Sequence, residues 1–200
     1  MSLFDEATPL TPHESIWNNT TVVRLGETPI VRPTAPVRAP NSNATPDGRP
    51  SLPGRNDSDP ANIAAFAAEN KAAEDLSKLG FDVYQQPTVG NGRLTEADLR
   101  GIGLNPNSNP DLLVNQTVFD VYSPTNNNPR SIWSNIRKTK LAKGQTRRMV
   151  VNLDDSTVDI KKLLDQFTEH PMTAGFGDSV VHLEEAIFLR DGEIVGRWVK

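Results

Sequence analysis

Three carboxylates and one run of bases have the types and spacing to do chemistry in this chain. Asp111 and Asp120 stand nine residues apart in the stretch Asn109 to Tyr122. Leu112 to Val114 is apolar, Asn115-Gln116 is turn-like, and Val118 to Tyr122 is rich in β-branched and aromatic residues. That pattern predicts a hairpin. A hairpin brings its ends together, so Asp111 entering the first strand and Asp120 late in the second can face one another and hold a cation. Taken alone, the same two residues also read as a turn starter and a solvated strand residue. Glu69 lies at the margin of an apolar helical stripe with Asn70 beside it, and a carboxylate there needs a partner or a purpose. After Asp120 no acidic residue occurs before Asp154, while Arg130, Arg137, Lys138, Lys140, Lys143, Arg147 and Arg148 all fall in between. Exposed helices normally mix both signs, so a one-sided run in a chain of net charge −4 points to a phosphate backbone as partner. Carboxylates beside such a run suit metal-assisted phosphodiester hydrolysis, with a lysine to position water or stabilise developing charge.

The elements that must position these groups can be read in order. Residues 1 to 28 hold a few apolar positions (Ile16, Trp17, Val22, Val23, Leu25), enough for a small strand or docking segment. Pro29 to Pro60 is proline-rich with few large apolar residues and predicts a poorly ordered linker. The boundary is placed after residue 58, giving an N-terminal segment and linker over 1–58 and one domain over 59–200. Asp59 and Pro60 start a helix that Gly80 ends, with Ile63, Phe66, Ala73, Leu76 and Leu79 inward. Phe81 to Gln85 alternates as a strand. Residues 87–110 form a long excursion with a helical turn at Thr95 to Leu99. A helix over Ser131 to Ala142 follows the hairpin, then a strand over Arg148 to Leu153. A helix near Val158 to Phe167 follows, with Asp154 and Asp155 as its caps. A loop then runs through Pro171 and Gly177. The chain closes on strands at Val180–Leu183 and Ala186–Leu189, with Ile194–Val199 returning after Asp191-Gly192. Asp159, His170 and His182 are isolated and lack ligand spacing. This order describes an α/β (α+β) domain with a mixed sheet flanked by helices.

Composition bounds the rest. Two hundred residues with 36% hydrophobic content suffice for one domain plus extra chain. There is no cysteine, which excludes disulfides and thiolate metal sites. No stretch approaches the length of a membrane span, and the N-terminus lacks a signal-peptide core.

Pro110-Asp111, Phe119-Asp120-Val121-Tyr122-Ser123-Pro124, Ser131 to Lys138 and Lys143 to Asp155, together with Glu69-Asn70 and Leu79 to Pro87, resemble the C-terminal tRNA-nuclease domains of contact-dependent growth inhibition and related polymorphic toxins. The resemblance covers about residues 60–190. It implies a PD-(D/E)XK nuclease fold and a metal-dependent endonuclease that cleaves tRNA. It also implies delivery from a larger secreted or surface effector into a target cell's cytoplasm, and neutralisation by a cognate immunity protein. Carried over, Glu69, Asp111 and Asp120 match the acidic, metal-holding positions, with Mg²⁺ first and Mn²⁺ or Zn²⁺ as alternatives. The catalytic lysine is expected at Lys138, with Lys140 or Lys143 as alternatives, because Tyr122 stands where the simplest signature has lysine. Gln145, Arg137, Lys140, Lys143 and Arg147 are the expected substrate contacts. Two other readings share these residues: a DNA endonuclease of the same fold, and a non-catalytic nucleic-acid-binding module of a larger surface or phage protein.

Overall fold

The computed structural model describes residues 33–54, 58–88, 92–170, 172–177 and 179–200. The docking segment expected around Ile16, Trp17, Val22, Val23 and Leu25 lies outside them. The strands are β1 (Asp47–Gly48), β2 (Val83–Gln85), β3 (Leu112–Val114), β4 (Thr117–Tyr122), β5 (Arg148–Asn152), β6 (Thr173–Phe176), β7 (Ser179–His182), β8 (Glu185–Arg190) and β9 (Glu193–Val199). The helices are α1 (Pro60–Lys78), α2 (Glu96–Gly101), α3 (Pro129–Thr139) and α4 (Ile160–Glu169), with a 3₁₀ turn at Leu141–Lys143. Seven strands form one mixed sheet in the order β1-β2-β3-β4-β5-β8-β9, and β6-β7 is a separate hairpin.

Side chains of alternating sign in the pleat decide which layer covers which face. Leu112, Val114, Phe119, Val121, Val150, Ile187 and Leu189 meet Ala72, Ala73 and Leu76 of α1. Met149, Val151, Ala186 and Phe188 meet Ile132 and Ile136 of α3 and Leu163 and Phe167 of α4. The mixed sheet flanked by helices is therefore as the residue pattern predicts. The central strand β5 is buried along its whole length between parallel neighbours β4 and β8, which accounts for its unbroken apolar run.

Four details differ from expectation. Ile63 is 45% exposed, so the first half of α1 reaches past the sheet. Asp154 caps nothing: it pairs with Lys71 at 2.9 Å and accepts from the Asp191 N–H at 2.7 Å. The α4 cap is Asp159, which accepts from Lys162 N–H. The loop expected before β7 contains β6, which pairs antiparallel with β7.

The fourth concerns the proline-rich stretch. Residues 33–54 form a strap laid on the sheet edge and the end of α1. The Thr34 N–H and hydroxyl donate to Glu185 at 2.9 and 2.8 Å. Val37 and Arg38 N–H both donate to the Gly80 carbonyl at 3.0 Å, and β1 pairs parallel with β2. Gly80 adopts φ +93°, and a Cβ there would lie 2.2 Å from the Arg38 carbonyl oxygen, so only glycine admits the strap so closely. Backbone hydrogen bonds replace the apolar burial that the composition lacks.

The strap is anchored on a buried ion pair: Arg148 Nη1 donates to Glu185 at 2.7 Å and to the Thr34 hydroxyl at 3.0 Å. Glu185 is fully buried, and removing one partner of such a pair strands the other charge. Glu185→Ala is expected to cost about 3–5 kcal/mol in urea unfolding. A loss under about 1 kcal/mol, the size of an exposed pair, would contradict this anchoring.

Candidate active site

The β3–β4 turn sets the site. Asn115 and Gln116 both adopt positive φ, +49° and +63°, as a two-residue hairpin turn of matching twist requires. The Asn115 side chain locks it by accepting from Asp82 N–H at 2.8 Å and donating to the Ala35 carbonyl at 2.6 Å. The register then runs Val114↔Thr117, Leu113↔Val118, Leu112↔Phe119, and its next step sets Asp111 against Asp120. Asp111 Oδ2 accepts from the Val121 N–H at 2.8 Å, which fixes its carboxylate beside its partner's.

The counter-ion is Lys140. Its Nζ lies 3.0 Å from Asp120 Oδ1 and 3.7 Å from Asp111 Oδ2. Lys140 ends α3 four residues after Ile136, itself four after Ile132, and both isoleucines are fully buried. Residues spaced by four share one helix face, so this row carries Lys140 inward to the sheet. Lys138, two residues and about 200° from Ile136, is exposed. It lines shallow depressions with Arg137 and Ala142, and with Arg130 and Ser134. The structure thus brings Lys140, one of the expected alternatives, against the aspartates, and not Lys138. Tyr122, standing in the signature's lysine position, accepts from Asn135 Nδ2 at 3.1 Å.

Glu69 joins the site from α1. It feels the charges of Lys140 and Asp120 and shares a hydrogen bond with the Ser51 hydroxyl. Burial is the largest influence on its carboxyl and holds its pKa above the ordinary value, against the opposing pull of Ser51 and Lys140. Asp111 is pushed well above the ordinary carboxylate range by burial first and by Asp120 second. Burial alone would lower the Lys140 pKa, but Asp120 and Asp111 outweigh it and raise it, so the ammonium stays charged.

The remaining expected contacts do not converge. The Arg137 guanidinium stacks 5.0 Å over Trp133, and Lys143 is exposed on the 3₁₀ turn. Gln145 is tied by its backbone N–H to the Lys140 carbonyl at 3.2 Å. Arg147 pairs with Glu184 at 3.2 Å and lines a separate cavity of about 310 Å³. Arg148 is a buried structural cation. Residues missed by sequence reasoning are Ser51, Gln85 and Gln86, which surround Asn70 and Glu69. The row Ile132-Ile136-Lys140 was a usable signal for the lysine, whereas nothing in the strap's sequence marks Ser51.

Among the described residues no three His, Cys, Asp or Glu side chains converge to hold a metal ion. Asp111 and Asp120 nevertheless fit one. Asp120 Oδ2 is buried and has no hydrogen-bond partner among the described residues. Mg²⁺ commonly takes one or two carboxylates and completes its shell with water and substrate phosphate. Magnitudes agree: an ion pair at about 4 Å is worth about 4 kcal/mol at an effective dielectric of about 20. Burying each ion costs several kcal/mol, so one ammonium under-compensates two buried carboxylates.

Residues 108–194 match the contact-dependent growth inhibition CdiA C-terminal domain family. The chain is 33% identical over 148 residues, 72% of its length, to a protein of Burkholderia pseudomallei (strain 1026b) named tRNA nuclease CdiA-2. The matched part is about 4% of that relative's length. Among solved structures, a CdiA-CT/CdiI toxin and immunity complex from Burkholderia pseudomallei matches with TM-score 0.61 and 27% identity, over 78% of this chain and all of that one.

The raised pKa of Asp111 has a stability consequence whose sign follows from linkage. A folded-state pKa above the unfolded one means that the folded chain binds the proton more tightly. The associated stability is full below the ordinary carboxylate pKa and is lost as pH rises through the folded value. The fold therefore loses this contribution as pH rises from the ordinary carboxylate pKa toward neutrality. In chelator-treated buffer Asp111→Asn is expected to raise Tm at pH 7 by about 3 °C, the size of roughly 1 kcal/mol in a chain of this length. The advantage should vanish toward pH 4. A variant less stable than wild type at pH 7 would contradict the assignment.

Proposed function

We propose that this chain, a member of the contact-dependent growth inhibition CdiA C-terminal domain family across residues 108–194, is a metal-dependent endoribonuclease toxin that cleaves tRNA. The observation that carries the reading is the buried Asp111–Asp120 pair bridged by Lys140, with Glu69 as its acidic neighbour. A relative named as a tRNA nuclease supports RNA as substrate. The arrangement suits the PD-(D/E)XK scheme with the lysine supplied from α3.

Phosphodiester cleavage develops negative charge on the phosphoryl oxygens. Lys140, kept charged by the two aspartates, stabilises that charge without reorganising. Glu69, whose burial lifts its pKa above the ordinary carboxylate value, takes the proton from the attacking oxygen as its bond to phosphorus forms; the bond from phosphorus to the leaving oxygen breaks, and that oxygen takes a proton from water. Asp111 and Asp120 would hold a hard cation such as Mg²⁺ or Mn²⁺, which supplies Lewis-acid polarisation of the phosphoryl group when bound. The exposed Lys138 and Lys143, with the half-buried Arg137, steer the polyanion, a sequence-independent task.

The matched relative extends far beyond the matched part. That supports a chain acting as the toxic portion of a larger effector, delivered into the cytoplasm of a competing cell. The similarity to a chain solved in a toxin and immunity complex supports a cognate immunity protein as partner. No helix among the described residues is long and apolar enough to cross a membrane.

Incubating purified chain with total tRNA and Mg²⁺, Mn²⁺ or Zn²⁺, beside a plasmid-nicking arm, tests this. Expected is discrete tRNA cleavage, abolished by EDTA and absent on plasmid. Lys140→Ala should lose about 100-fold or more in rate, as does removal of a preorganised charge donor, while Lys138→Ala stays within about threefold. No cleavage under any metal would overturn the reading, as would activity confined to DNA. Equal losses for the two lysine variants would overturn the assignment of Lys140.

A further inference from the structure

Glu69 is held from outside its own helix. The next residue, Asn70, grips the strap at Ser51 through both ends of its amide. Asn70 Oδ1 accepts from Ser51 N–H at 2.7 Å, and Asn70 Nδ2 donates to the Ser51 carbonyl at 2.9 Å. Gln85 of β2 donates its amide to Asn70 Oδ1 at 2.8 Å, which fixes the orientation of that amide. Gln86 donates to the Ser51 hydroxyl oxygen at 2.7 Å. With that lone pair occupied, the hydroxyl proton is left to point elsewhere, and its acceptor is the Glu69 carboxylate. Ser51 is 5% exposed and Gln85 6%, while Glu69, Asn70 and Gln86 are half-buried, so this is a directional relay with a shielded centre.

The relay is unusual in its source. Ser51 belongs to the proline-rich strap, eight residues before the α1 cap at Asp59. Leu52 beside it is 72% exposed, so no apolar anchor fixes the strap at this point. What holds it is the amide clamp and, just before it, the β1–β2 pairing of Asp47 with Tyr84 and Gly48 with Gln85. The Gly48 register partner, Gln85, is also the residue that orients Asn70. Edge pairing and the Glu69 contact are thus one connected unit.

We infer that Ser51 is a positioning residue for the nuclease reaction, holding the Glu69 carboxylate toward Asp120 and Lys140, and that the strap over residues 33–54 is part of the catalytic unit. This rests on the proposed nuclease function and deepens it by adding a group that touches neither substrate nor reacting atoms. A Glu69 freed from Ser51 still carries its charge but loses its fixed aim. Partners that orient the ligands of a metal site cost about 10- to 100-fold in metal affinity or activity when removed, and a carboxylate beside such a site should lose a similar factor with its support. Substrate affinity, set mainly by exposed bases, should hardly move.

The experiment uses the full chain and measures kcat and KM on total tRNA for wild type, Ser51→Ala, Ser51→Thr, Glu69→Ala and the Ser51→Ala/Glu69→Ala double variant, with Tm for each. Expected is a kcat loss of about 10- to 100-fold in Ser51→Ala with KM within about twofold. Ser51→Thr, which keeps the hydroxyl, should recover most of it. In the Glu69→Ala background Ser51→Ala should add no further loss. A merely structural serine would lower both variants alike and would act additively with Glu69→Ala, and either outcome overturns the inference. So does a Ser51→Ala variant with wild-type kcat. If wild type itself cleaves no RNA, the function reading fails, and the Tm values decide the contact. Ser51→Ala should then lower Tm by about 2 °C or more, the size of one lost hydrogen bond, in wild type but not in Glu69→Ala. Equal shifts in both backgrounds overturn it.

Discussion

Two carboxylates set against each other inside a hairpin, with one ammonium between them, are the constraint to which the rest of this structure is fitted. Like charges in a dry site are costly, and each ion loses several kcal/mol of hydration before any attraction is counted. Lys140 offsets this at 3.0 and 3.7 Å but leaves Asp111 with a strongly raised pKa and one Asp120 oxygen unpartnered. A fold selected only for stability would replace the pair. The surrounding elements must therefore hold the two carboxylates in place against their mutual repulsion.

Those elements can be traced outward. The Asn115-Gln116 turn fixes the register that opposes the aspartates, and Asn115 fastens that turn to the strap and to Asp82. Ile132 and Ile136 seat α3 so that Lys140 projects along their row. The 3₁₀ turn after it closes on Gly144, at φ +63° and so near the Phe176 ring that a Cβ would lie 2.7 Å from it. The β6–β7 hairpin, outside the main sheet, thus bears on the segment that ends at the lysine. On the opposite side α1 presents Glu69, and the strap steadies it through Ser51. Three separate stretches of chain converge on one charge cluster.

The hairpin was legible because it obeys local rules: an apolar run and a β-branched, aromatic run on either side of a two-residue polar turn leave one register, and that register pairs Asp111 with Asp120. The sheet and its helices were legible for the same reason. Lys138 was put ahead of Lys140 because depth into a helix was weighed without following the buried row that brings Lys140 to the aspartates, and one residue of a helix turns the side chain by about 100°. The strap was misread because composition counts apolar side chains. It cannot count backbone hydrogen bonds such as those to Gly80, nor foresee that Arg148 and Glu185 pair 37 residues apart beneath Thr34. Ser51 was invisible since its role depends on Asn70, Gln85 and Gln86 arriving together from α1 and the end of β2.

The most direct test is a double-mutant cycle on unfolding free energy between Asp120→Asn and Lys140→Met, measured at neutral pH in chelator. If Lys140 is the buried counter-ion, Lys140→Met alone should destabilise the fold, because it leaves two carboxylates uncompensated. Adding Asp120→Asn should restore much of that loss, with a coupling of about 2–3 kcal/mol. Additivity within about 0.5 kcal/mol would show that Lys140 and Asp120 do not share a buried ion pair, and would contradict the construction of the site.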